Sequence, residues 1–158
     1  MTYETTTTNS EGTQSVARRL SRLLSGGEVV ELASDLGGGK TTFVQGLARA
    51  LGYTGAVTSP TFTLSNIYAL PDGREIHHYD LYRLGEAGVV GAELGEDIGE
   101  PTIITVIEWA GVAETRLPAD HLTIRFEVTS DTGRKLIFSG SGPLSDKIVH
   151  QLSPEPPV

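Results

Sequence analysis

The stretch "EVVELASDLGGGKTTFVQGLARALG", Glu28 to Gly52, constrains this chain more than any other. Its opening six residues are mostly apolar or β-branched and predict a buried strand. Gly37, Gly38 and Gly39 interrupt it with backbone that can take conformations closed to other residues. Phe43, Val44, Leu47, Ala48 and Leu51 then fall on one helical face, and Gly52 supplies the stop. Strand, glycine loop and helix in immediate succession commit the chain to an α/β fold, with the carboxyl end of a strand facing the amino end of a helix.

The same stretch carries the spacing of a phosphate-binding loop, G-x-x-x-x-G-K-[ST], with Gly39, Lys40 and Thr41 in place and Ser34 where the first glycine belongs. A polyphosphate needs converging backbone N–H donors, a helix amino terminus and a mobile cation. The run from Leu36 to Thr42 offers all three: glycines for close approach, Lys40 for the β- and γ-phosphates, and the Thr41 hydroxyl for Mg²⁺. Ser34 is small and sits where the strand leaves the sheet, so it weakens the pattern without breaking it.

Mg²⁺ prefers hard oxygen ligands, so such a site requires a carboxylate at a neighbouring strand end. Asp80 and Glu108 each end a predicted strand, in "HHYD" and "TIITVIEW". His78 shares a face with Asp80, as Val106 does with Glu108. One acid can hold the metal while the other orients the attacking water. Between loop and strand, "TSPTF" sets Thr58, Ser59 and Thr61 around Pro60 in the manner of a switch segment that senses a γ-phosphate. His77 and His78 are adjacent and face opposite sides of a strand, which argues against a transition-metal pair.

Around this centre, a threonine-rich amino terminus reads as a short edge strand, and Val16, Ala17, Leu20, Leu23 and Leu24 as an amphipathic helix with Ser10 as N-cap. Arg18, Arg19 and Arg22 form a solvated basic face on that helix. Pro71-Asp72-Gly73 joins two β-rich runs into a hairpin, and residues 85–99 read as short helical turns and loop. "HLTIRFEV" and "RKLIFSG" add strands, "SDKIVHQL" a last helix. The expectation is one domain over residues 1–150 with a disordered tail over 151–158.

Composition sets outer limits. With 158 residues, 38% hydrophobic and 20% charged, the chain has the make-up of an ordinary globular protein. No apolar run is long enough for a membrane span, and no secretory signal opens the sequence, so a cytoplasmic location is expected. The absence of cysteine removes disulfides and thiolate chemistry. A formal charge of −8 opposes direct binding to a nucleic-acid backbone, DNA included, so any RNA is expected to be held by a partner.

These blocks together resemble the TsaE family, also called YjeE, the small P-loop ATPases of bacterial tRNA threonylcarbamoyladenosine (t6A) synthesis. "DLGGGKTTFVQGLARALG", "VTSPTFTL", "HHYDLYRL" and "VIEWA" follow in that family's order, from Thr13 to at least Trp109, with Gly133-Arg134 beyond. The resemblance implies a P-loop NTPase-like fold, a mixed and mostly parallel central sheet flanked by helices. It implies ATP or ADP with Mg²⁺, and hydrolysis that supports a complex with TsaB and TsaD as it modifies adenosine 37 of tRNAs reading codons that begin with A. Carried over by position, Lys40 is the phosphate lysine, Thr41 the Mg²⁺ hydroxyl, and Thr42 its neighbour near the α-phosphate. Asp80 is the Walker-B-like aspartate and Glu108 the glutamate beside the metal, with Trp109 after it. Thr61 falls in the switch-like segment and Thr13 near the base. Two other classes fit the loop alone: a small-molecule or nucleoside kinase, for which Arg74, Arg83 and Arg116 are too scattered to form a lid, and a nucleotide-binding adaptor without hydrolysis.

Overall fold

The strand that opens the glycine loop lies in the middle of a seven-stranded sheet. In the computed structural model, which describes residues 1–34, 39–58, 65–80, 95–108 and 117–154, the elements run as follows. Strand β1 spans Thr2–Thr7, helix α1 Ser10–Ser21, β2 Val29–Ala33, α2 Lys40–Ala50, β3 Ser65–Ala69 and β4 Glu75–Asp80. There follow β5 at Ile103–Glu108, β6 at Leu122–Val128, β7 at Arg134–Gly140 and the final helix α3 at Pro143–Leu152.

The sheet order is β1-β7-β6-β2-β5-β4-β3. Its centre is parallel, with β2 between β6 and β5, and β4 beyond β5. Both edges are antiparallel, β1–β7–β6 on one side and the β3–β4 hairpin on the other. The expected mixed sheet is therefore present, parallel at its core and closed at each edge by an antiparallel strand. The β2 and β5 strands are buried almost throughout, which is why their sequences run apolar on both faces rather than alternating.

Helices α1, α2 and α3 pack on one face, over Val30, Leu32, Ile76, Ile104, Val106, Ile124 and Phe138. Phe43 of α2 is fully buried there and meets the edge of Phe126 at 5.6 Å between ring centroids. On the other face, Tyr79 and His77 both hydrogen-bond Asp97 in the helical turn at 95–97. Most of the predicted turn-and-loop stretch before that point, and the tail from 155, lie outside the described residues.

Three local expectations are corrected. The N-cap of α1 is Asn9, not Ser10: its side-chain oxygen accepts the Gly12 N–H at 2.8 Å, satisfying a donor of the first turn. Helix α1 ends at Ser21, so Leu23 and Leu24 belong to the following turn, although both still pack on the core. Arg19 is not simply solvated: it lies over the Tyr3 ring and donates to the Leu152 carbonyl, joining α1 to β1 and to the end of α3. Among the described residues, no helix is long and apolar enough to cross a membrane.

Candidate functional site

Helix α2 begins unlike its neighbours. Both α1 and α3 place an acid in the first turn, Glu11 and Asp146, where a carboxylate complements the positive end of the helix dipole. The first turn of α2 has no acid, carries Lys40 instead, and has no side-chain cap. Its N-cap, Gly39, adopts φ 98° and ψ 13°, a left-handed conformation open to glycine and strained for a residue with a Cβ. Electropositive N–H groups, a left-handed glycine and a lysine come together at the start of α2, an arrangement suited to an anion. Lys40 is buried, and its ammonium reaches back to the Ser34 carbonyl at 3.4 Å, spanning the loop from helix to strand.

The sheet register sets both predicted acids level with the end of β2. Leu32, two residues before Ser34, pairs with Glu108, and Glu108 pairs with Asp80 on its other side. Residues in register on adjacent parallel strands share a face, so both carboxylates stand on the helix-covered side at the carboxyl ends of their strands. Asp80 is partly exposed, whereas Glu108 is only 3% exposed. A carboxylate so buried needs a partner. Its Oε1 makes no hydrogen bond among the described residues and lies 3.2 Å from His78 Nε2, which makes none either.

A hard-oxygen set of Glu108, Asp80 and the Thr41 hydroxyl in the first turn of α2 suits Mg²⁺, which takes few protein ligands and keeps waters. Among the described residues no three His, Cys, Asp or Glu side chains cluster as a metal cage. The orphaned Oε1 of Glu108 fits a site built to meet a cation.

The remaining expected residues divide. Thr42 is half-buried in the first turn of α2. Thr13 is buried, and its hydroxyl meets that of Thr7 at 2.9 Å. Leu36, Gly37, Gly38, Thr61 and Trp109 lie outside the described residues. Sequence reasoning gave little weight to Arg134, whose side chain packs against Gly39, with Nε 3.5 Å from where a Cβ on that glycine would stand. Its guanidinium donates to the carbonyls of Ser130 and Gly133. Tyr68 was also missed, and its hydroxyl lies 3.2 Å from His78 Nδ1. A histidine two residues before the acid, in a strand otherwise apolar on that face, was the available signal.

A groove of about 500 Å³ lies at the opposite end of the sheet, lined by Glu28, Val29, Pro101, His121 and Leu144 among others. It faces the amino ends of β2 and β6, away from the loop, and its Glu28 carboxylate is already engaged by the Ser25 and Gly26 N–H groups.

The fold is that of an α/β protein with a mixed sheet, in which the central parallel strand β2 is followed in the chain by helix α2. The family model "Threonylcarbamoyl adenosine biosynthesis protein TsaE" matches residues 7–136, and the chain belongs to that family. It is 36% identical to a tRNA threonylcarbamoyladenosine biosynthesis protein TsaE from Streptomyces coelicolor, over 80% of this chain and 89% of the relative. The TsaE of Bacillus subtilis is 33% identical, over 93% and 91%. That of Aquifex aeolicus is 40% identical, over 80% and 87%. The crystal structure of Bacillus subtilis YdiB superposes with a TM-score of 0.75 at 29% identity, covering 96% of this chain and 94% of that one.

Proposed function

We propose that this protein binds ATP with Mg²⁺ and hydrolyses it in support of t6A formation at adenosine 37 of tRNAs reading codons that begin with A, acting with TsaB and TsaD in the cytoplasm. One observation supports the nucleotide reading: the Leu32–Glu108–Asp80 register, in which two carboxylates end the strands next to the one that leads toward the Gly39–Lys40 helix start. The tRNA role rests on family membership, since the relatives are named for that biosynthesis.

In this reading the N–H groups at the start of α2 and the Lys40 ammonium hold the β- and γ-phosphates, and the glycine loop keeps side chains out of the way. Thr41, Glu108 and Asp80 provide oxygens for the metal, directly or through its waters. Mg²⁺, when bound, would supply charge neutralisation for the phosphates. The acid not engaged by the metal orients the attacking water, so catalysis is positioning and electrostatics rather than covalent chemistry. The acidic chain leaves tRNA to its partners.

Phosphate release measured with and without TsaB, TsaD and tRNA tests the assignment. The expected result is slow hydrolysis alone and a clear increase with the partners. No increase, together with phosphate transfer to a small acceptor, would overturn it.

A further inference from the structure

Behind the candidate metal-binding acid lies a buried chain of polar groups that the mechanism above does not use. Tyr68 is 3% exposed and His78 is fully buried. The Tyr68 hydroxyl lies 3.2 Å from His78 Nδ1 and also 3.2 Å from the Thr58 carbonyl. His78 Nε2 in turn lies 3.2 Å from Glu108 Oε1. In the register His78 stands between Val106 and Asn66, with Val30 beyond Val106, and the Tyr53 ring lies 4.9 Å from that of Tyr68.

A single hydroxyl proton links these contacts to one another. If Tyr68 donates to Thr58, it can only accept from His78 Nδ1–H, and a neutral His78 then turns the lone pair of Nε2 toward the Glu108 carboxylate. Two acceptors facing one another at 3.2 Å in a buried site repel. If Tyr68 donates to Nδ1 instead, Nε2 carries the proton and can donate to Glu108. The Thr58 carbonyl is not stranded by that choice, because the Asn66 side-chain amide donates to it at 3.0 Å. Burial pushes the Tyr68 phenol up from its ordinary pKa, ahead of a smaller lowering by Asn66, so the hydroxyl keeps its proton.

We infer that Tyr68 and His78 are positioning residues: the Tyr68 O–H fixes His78 as the Nε2–H tautomer, and that N–H holds the Glu108 carboxylate in its working orientation. The imidazole and carboxylate are close but not yet well aligned, as both atoms lack hydrogen-bond geometry here. A small rotation of Glu108 onto a ligand completes the bond. The relay starts at the Tyr68 hydroxyl, within 3.2 Å of the Thr58 carbonyl, and ends at the candidate metal-binding acid. It rests on the reading of Glu108 as that acid.

The four histidines make the tautomer directly readable by two-bond ¹H–¹⁵N spectroscopy on ¹⁵N-histidine protein at about pH 8, where an unperturbed imidazole is neutral. The expected spectrum gives His78 the Nε2–H pattern, with Tyr68→Phe altering its Nδ1 shift. An Nδ1–H tautomer or an imidazolium at His78 would overturn the inference. In the turnover assay, Tyr68→Phe should lower kcat by about 10-fold or more with KM for ATP little changed, the range seen when an outer partner of a metal ligand is removed. His78→Gln, which keeps an N–H donor, should retain more activity than His78→Ala. Unchanged kcat in Tyr68→Phe, with Glu108→Gln inactive, would overturn the relay and leave the ATPase reading standing. Wild-type kcat in Glu108→Gln would overturn the reading of Glu108 as the working acid, and the relay's role in turnover with it, while the spectrum still decides the tautomer.

Discussion

Glu108 concentrates the conflict between stability and function at the scale of single residues. Burying a carboxylate without a well-made hydrogen bond costs stability, and a residue kept for function at that cost can be neutralised without loss of the fold. Glu108→Gln should therefore melt at or above the wild-type temperature in a calorimetric scan while losing Mg²⁺-dependent hydrolysis. A lower melting temperature with retained hydrolysis would contradict its assignment. Asp80→Ala, at the more exposed strand end, should also keep the fold and lose hydrolysis, but with a smaller loss of Mg²⁺ affinity than Glu108→Ala in a metal titration. Gly39→Ala tests the loop in another way. At φ 98° a Cβ is strained, and about 1–2 kcal/mol of stability should be lost in urea unfolding. These residues were legible to different degrees. Lys40 and the two acids stood out because a lysine after glycines and an acid ending an apolar strand are local patterns. The roles of His78 and Tyr68 were not, because they depend on β3, β4 and β5 lying side by side in one register.

Among the elements, α2 is built to be approached at one end and packed along its length. Gly46 lies in its interior, where alanine ordinarily stabilises a helix by about 1 kcal/mol. Here a Cβ would stand 2.8 Å from Gln14 Cα of α1, so Gly46→Ala should destabilise by about 1–3 kcal/mol in urea unfolding. A stabilised variant would show that α1 yields. Helix α3 is capped from a distance: the Asp120 carboxylate accepts the Leu144 and Ser145 N–H groups at 2.8 and 2.9 Å. Burial alone raises the Asp120 pKa, but hydrogen bonds from Ser145 and Leu144 and the nearby His121 outweigh it and hold the group below its ordinary value. A depressed carboxylate contributes stability that is fully present above its unfolded pKa of about 3.9 and lost as pH falls through the folded one. Asp120→Asn should therefore flatten the acid limb in urea titrations by lowering the neutral plateau, with the variant and the wild type converging at low pH. A variant with the wild-type acid limb would remove Asp120 from that role. Cap positions were the weakest part of the reading: Asn9 and Ser10 are both good caps, and only the backbone angles of Asn9 decide between them.

Across the whole molecule, function follows from the crossover order of the sheet. The P-loop strand, the Glu108 strand and the Asp80 strand are neighbours in space although the hairpin strand β3 intervenes in the chain. The strand types were readable from their composition, and the parallel centre of the sheet was what the family resemblance implied. Which strands are neighbours was not, because adjacency is set by non-local packing under α1 and α2. Arg134 shows the same limit, reaching Gly39 from a strand far along the chain. An acidic molecule with a buried lysine in the first turn of α2 is suited to a phosphate ligand and poorly suited to a nucleic-acid backbone. Isothermal titration of the wild-type protein with ATP, in the presence and absence of Mg²⁺, tests that claim most directly. The account predicts saturable binding that strengthens with Mg²⁺ and is lost in Lys40→Ala; no Mg²⁺-dependent binding by the wild type would contradict it.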